Sequence, residues 1–191
     1  MPSSHEPLFR LIAGLGNPGR EYEETRHNAG FMILDRLARR ADLTFRLEPK
    51  WNAAVASSAG LLLCKPQSYM NLSGQPIAAV AHFYKIDPAQ ILAIFDDAAL
   101  PLGRIRIRPG GSSGGHNGMQ SILDHVGDIP RLRVGIGAAD GRPMVQHVLG
   151  KFSADERPIL AAAIDRALDA IDTLQTLGLE PAMTKFNSTT P

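Results

Sequence analysis

Apolar residues fall in short runs set off by glycine, proline and polar punctuation, the rhythm of strands separated by helices. Runs at residues 8–13, 60–65, 91–95, 104–108 and 131–136 have strand length, and residues 52–57 offer a further strand. Helical periodicity fills the intervals. From Thr25, whose side chain can cap a helix start, Phe31, Leu34, Ala38 and Ala41 recur at steps of three and four, so His27 shares their inward face. After Pro66 closes a strand, Ile77, Val80, Ala81 and Tyr84 mark a second helix. A glycine-rich loop, PGGSSGG, leads into a short helix starting at His116 and Asn117. A short element at residues 144–149 follows a flexible segment at 138–143. The last helix opens on a Ser153/Glu156 capping box and carries an apolar stripe from Leu160 to Leu174, ending near Gly178. Residues 179–191 are expected to be a flexible tail beyond a folded core of residues 8–178.

The same pattern locates polar residues at strand exits, where open α/β sheets build their sites. Asn17 and His27 follow the first strand, Asn71 follows the run ending at Lys65, Asp96 closes the run from Ile91, and Asn117 follows the glycine loop. A histidine in a helix's first turn meets partial positive charge, which disfavours protonation and suits a base. Each residue alone has a plainer reading, as a cap, a turn former or a packed side chain; convergence of five would be unusual.

Composition then bounds the picture. With 191 residues and 44% apolar content the chain suits one domain. A single cysteine, Cys64, excludes an internal disulfide and fits a reducing compartment. No segment reads as a secretory leader or a membrane span. Net charge is +1, yet Arg104, Arg106 and Arg108 alternate with isoleucines, and Arg131 and Arg133 flank Leu132. On strands those arginines form a basic stripe suited to phosphate oxygens.

Other chemistries fit poorly. Gly14, Gly16 and Gly19 have dinucleotide-fingerprint spacing, but Pro18 and the polar residues 20–24 separate them from the helix, and no acidic residue closes a second strand at the required distance. No lysine follows the glycine loop as a Walker motif requires, and the six histidines show no metal-ligand spacing. Ser112 and Ser113 lack a nucleophile elbow.

The segments GLGNPGREYEETRHNAG, KPQSYMNLSG, FDDAALPLG, GGSSGGHNG and RLRVGIG together resemble the ordered signature blocks of bacterial-type peptidyl-tRNA hydrolases, from Leu11 to Phe152. The resemblance implies a single-domain, three-layer α/β/α fold around a twisted mixed sheet. It implies hydrolysis of the ester joining a peptide to the terminal ribose of tRNA, recycling tRNA from peptidyl-tRNAs released prematurely from ribosomes. By motif position His27 is the expected base, Asp96 its carboxylate partner, and Asn17 the residue distinguishing peptidyl-tRNA from aminoacyl-tRNA. Asn71 and Asn117 match substrate-binding amides, Tyr22, Tyr69 and Met70 match the tRNA-end contacts, and Arg108 and Arg133 match basic positions for tRNA phosphate. No metal or cofactor and no membrane contact are expected, and the enzyme should act as a cytoplasmic monomer. The chain departs from the pattern at Ala98 and Ala99, where relatives often carry a second acid, and between Gly137 and Gln146, where the lid is atypical. A catalytically silent RNA-binding relative and a nucleotide-dependent oxidoreductase are the competing readings; intact His27 and Asp96 count against the first.

Overall fold

The computed structural model describes residues 6–188. Seven strands form one mixed sheet in the order β2-β3-β4-β1-β5-β7-β6. They are β1 (Leu11–Gly14), β2 (Arg46–Glu48), β3 (Ala53–Ser58), β4 (Leu61–Pro66), β5 (Ile91–Asp97), β6 (Ile105–Arg108) and β7 (Arg131–Gly135). β4, β1, β5 and β7 run parallel, while β2, β3 and β6 are antiparallel to their neighbours. The carboxyl ends of the four parallel strands therefore share one edge. β1 and β5 are buried along their lengths apart from Asp97, as centrally placed parallel strands must be.

Helices α1 (Ala29–Arg40), α5 (Glu156–Leu177) and α6 (Leu179–Phe186) cover one face, where Ile12, Leu34, Ile94, Leu132 and Leu174 pack together. Helices α2 (Gly74–Phe83) and α3 (Asn117–His125) cover the other, packing Ile77, Val80, Met119 and Ile122 on Leu11, Ala13 and Ala93. The expected three-layer α/β/α arrangement is what forms. The predicted strands all appear, shifted by up to three residues at their starts; β2 is an addition, too short and exposed to announce itself.

Two close approaches set the entry to α1. A Cβ on Gly14 would lie 2.5 Å from the Gly30 carbonyl oxygen, and one on Gly30 would lie 2.3 Å from that of Ile94. Only glycine lets the helix start touch β1 and β5 backbone to backbone, which brings the preceding residues against the end of β5.

Several expectations are corrected. α1 begins at Ala29, and His27 lies before it in a 3-10 turn, Arg26–Asn28. Thr25 does not cap this turn through its side chain; its hydroxyl donates back to the Tyr22 carbonyl at 2.8 Å. Ala41, at the helix end, is exposed instead of inward. The presumed tail is the helix α6, with Ala182 and Phe186 buried, and Asn187 pairs its side-chain amide with the backbone N–H and C=O of Ile107 on edge strand β6. Residues 189–191 lie outside the described range. The capping box forms as read: the Ser153 N–H donates to Glu156 Oε2 at 2.7 Å and the Glu156 N–H to Ser153 Oγ at 3.3 Å. Among the described residues no helix is long and apolar enough to cross a membrane.

Candidate active site

The sheet edge at the ends of β1, β4 and β5 collects most of the residues singled out from the sequence. Asp96 is buried on β5, and the turn before α1 lays His27 over it: His27 Nδ1 is 2.9 Å from both carboxylate oxygens. A third group joins them. His116, just before α3, places Nε2 at 2.9 Å from Asp96 Oδ1.

The hydrogen-bond pattern assigns the protons. His116 Nδ1 accepts from the Met119 backbone N–H at 3.1 Å, so the ring proton of neutral His116 sits on Nε2 and is donated to Asp96. An ionised Asp96 only accepts, so His27 donates from Nδ1. That leaves His27 Nε2 as the free lone pair, and it has no hydrogen-bond partner among the described residues. Burial works to raise the Asp96 carboxyl, but the N–H groups of His116 and His27 outweigh it and hold it well below the usual carboxylate range.

His27, Asp96 and His116 also have the atom types of a metal site and lie close enough together for one. The proton assignment opposes it. His116 would have to give up its Nε2 proton while Nδ1 keeps accepting from a backbone N–H, leaving the ring with no proton at either nitrogen.

Asn17 is fixed beside this relay. Its backbone N–H donates to Asn28 Oδ1 and its carbonyl accepts from Asn28 Nδ2, both at 2.9 Å. Its own Oδ1 accepts from the Met70 N–H at 2.8 Å. Since Met70 N–H can only donate, the amide orientation follows, and Nδ2 is left as a donor for something else. Met70 is buried, and a Cβ on Gly118 would lie 2.5 Å from its sulfur, so Met70 packs between the Asn17 loop and α3. Its neighbours Tyr69 and Asn71 are exposed, as is Asn117, while Tyr22 is half-buried on the preceding loop.

His27 also lines a cleft of about 690 Å³. It is bounded by Ala98 and Ala99, the glycine loop with Asn117, the arginines Arg108 and Arg133, and Met144, Val145 and Val148 of α4 (Met144–Val148). Ile105, Ile107, Leu132 and Val134 face the α5–α6 layer, so the alternating arginines face away from it, as their spacing requires.

Arg131 corrects the stripe. It is 2% exposed and donates to Asp128, to the Ile129 carbonyl and to the Ser112 carbonyl, while Asp128 also accepts from the Gly111 N–H. It anchors the glycine loop, while Arg108 and Arg133 line the cleft and Arg133 pairs with Asp97.

Sequence reasoning put His116 at a helix start and went no further, and it did not single out Asn28. The signal for His116 was present in its position, since a histidine ending a glycine loop at a helix start can return to a neighbouring strand end.

Comparison with known proteins bears on the chain's family. The family model described as peptidyl-tRNA hydrolase matches residues 11–191. A peptidyl-tRNA hydrolase of Synechococcus sp. (strain JA-2-3B'a(2-13)) is 45% identical over 189 residues, covering 95% of this chain and 84% of the relative. One from Akkermansia muciniphila is 45% identical over 182 residues, covering 94% and 96%. The crystal structure of peptidyl-tRNA hydrolase from Acinetobacter baumannii superposes with a TM-score of 0.90 at 38% identity, over 96% of this chain and 97% of that one. With fold and sequence in agreement along nearly the whole length, the chain belongs to the peptidyl-tRNA hydrolase family.

Proposed function

We propose that His27 is the general base in the hydrolysis of peptidyl-tRNA, the ester cleavage that defines the family. Water binds at Nε2 and gives it a proton; the resulting hydroxide adds to the ester carbonyl carbon. Asp96 holds the ring in the tautomer with the proton on Nδ1 and stabilises the imidazolium that forms. When the tetrahedral intermediate collapses, the ribose oxygen leaves with the proton carried by His27. Peptide and tRNA are the products, and the tRNA returns to use. The observation that carries this reading is the Asp96 carboxylate accepting from two rings, which leaves one unpartnered ring nitrogen beside the cleft.

Asn17 supplies a donor from Nδ2 to a substrate carbonyl, either the developing oxyanion or the first peptide bond, and loss of one such donor typically costs about 3 kcal/mol in the barrier. Asn71 and Asn117, both exposed, bind the remaining polar groups of the peptide and the terminal nucleotide, with Tyr22 and Tyr69 forming the seat for the tRNA end and the buried Met70 supporting it. Arg108 and Arg133 take the phosphates. A site built to pair a peptide bond leaves its donors empty against free aminoacyl-tRNA, which protects the charged pool. The reading includes action as a monomer, and a tRNA-linked substrate supports a cytoplasmic setting.

The test is deacylation by metal-stripped protein of N-blocked and of free aminoacyl-tRNA. Rapid release from the blocked substrate alone is expected. Equal rates on both would remove the peptide-recognition role of Asn17, and no release would favour a silent RNA-binding protein.

A further inference from the structure

Arg26, the residue before the proposed base, buries its positive charge. The residue is 4% exposed. Its Nη1 donates to the Lys151 carbonyl at 2.8 Å and its Nη2 to Glu156 Oε2 at 2.7 Å. The guanidinium lies 5.1 Å from the centre of the Phe152 ring, which packs with Ile136, Leu160 and Val148. The Arg26 backbone N–H donates to the Gly150 carbonyl at 3.0 Å, and Thr25 forms an antiparallel bridge with Lys151. Gly150, Lys151 and Phe152 lie in the stretch joining α4, a wall of the cleft, to α5, and Glu156 is the first residue of α5.

This is a costly arrangement. Only the arginine end of this ion pair is buried, Glu156 being partly exposed, and a buried cation is expensive to keep; Arg26 Nε is buried with no hydrogen-bond partner among the described residues. Burial raises the Glu156 carboxyl, but the Ser153 N–H and the Arg26 guanidinium more than offset it. Residues retained at such cost are candidates for defining geometry. The geometry at stake is close by: the turn Arg26–Asn28 is one 3-10 turn, clamped on its far side by the Asn28–Asn17 pair and on its near side by Arg26. Between the clamps sits His27, whose Nδ1 must stay within hydrogen-bond distance of Asp96.

We propose that Arg26 is a positioning residue that locks the His27 turn to the root of α4, holding the imidazole on Asp96 and in register with the cleft wall. The inference rests on the reading of His27 as base.

The experiment compares the full chain with Arg26→Met, Arg26→Lys and His27→Ala, and with Arg26→Met in the His27→Ala background. It reads single-turnover deacylation of N-blocked aminoacyl-tRNA, tRNA affinity, thermal midpoint and the NMR signal of the His27 Nδ1 proton. Arg26→Met is expected to lower the rate between about tenfold and 100-fold, with tRNA affinity within about twofold, and to weaken or broaden the Nδ1 proton signal. Arg26→Lys, which keeps the charge but not the two-pronged contact, should fall between Arg26→Met and the parent. In the His27→Ala background the substitution should change the residual rate by less than about twofold, because the group it positions is gone. A parental rate in Arg26→Met at a lowered thermal midpoint would make the role purely structural and overturn the proposal, as would an equal proportional loss in both backgrounds. If Arg26→Met does not fold, Arg26→Lys decides: a reduced rate at parental affinity supports positioning, and a parental rate overturns it. A fully active His27→Ala protein would sink the base reading itself, an outcome distinct from either.

Discussion

Asp96 carries the largest burden of any single side chain, accepting from two imidazoles while almost wholly enclosed. Replacing it by Asn leaves an amide that can present a donor to His27 and so favour the wrong tautomer; single-turnover hydrolysis should fall by about a thousandfold or more, with tRNA affinity little changed. The carboxyl also links stability to acidity. Its folded value is depressed, so its contribution is complete above the unfolded value of about 4 and is lost as pH falls through the folded one. Denaturant midpoints taken between about pH 5 and pH 3 should therefore drop less steeply in Asp96→Asn than in the parent. At this scale the sequence was informative about His27, Asp96 and Asn17, whose places follow from a strand exit and whose contacts form, while Asn71 and Asn117 stand exposed with no side-chain hydrogen bond among the described residues. It was silent where a role depends on a partner met only in space: His116 reaches Asp96 across the sheet edge, Asn28 reaches back to Asn17, and Arg131 turns inward to Asp128 and Ser112.

Elements were read well where periodicity is strong. The stripe of α5 and the alternation of β6 form as predicted, because one face of each must be buried. Helix α6 was missed because Gly178 reads as an ending; Pro181 lies in the first turn of α6, where proline is tolerated because its absent N–H had no partner to lose. α6 matters for stability. Phe186 is 4% exposed in the α5–α6 layer, and Phe186→Ala should cost about 3–5 kcal/mol in chemical denaturation. Strand β4 offers a second check: burial pushes the Cys64 thiol up to about 12, so thiol reagents should label it only at the rate at which the sheet opens. Labelling of the native protein at the speed of a free thiol would contradict the placement.

For the molecule as a whole, net charge of +1 conceals a local field, since Arg108 and Arg133 line the cleft while other arginines, such as Arg36 and Arg40, pair with acids on α5. Arg133→Ala should weaken tRNA binding more than it slows chemistry and lower the salt slope of affinity by up to about one. Because Asp97 pairs with Arg133, Asp97→Asn should act in the opposite direction, giving tighter binding and a steeper slope. The central claim is narrower than any of these, that one ring nitrogen performs the chemistry. The most direct measurement is single-turnover deacylation of N-blocked aminoacyl-tRNA by His27→Ala beside its tRNA affinity. The account requires a loss of about a thousandfold at an affinity within about twofold of the parent. A variant that bound normally and kept more than about a tenth of the rate would contradict it.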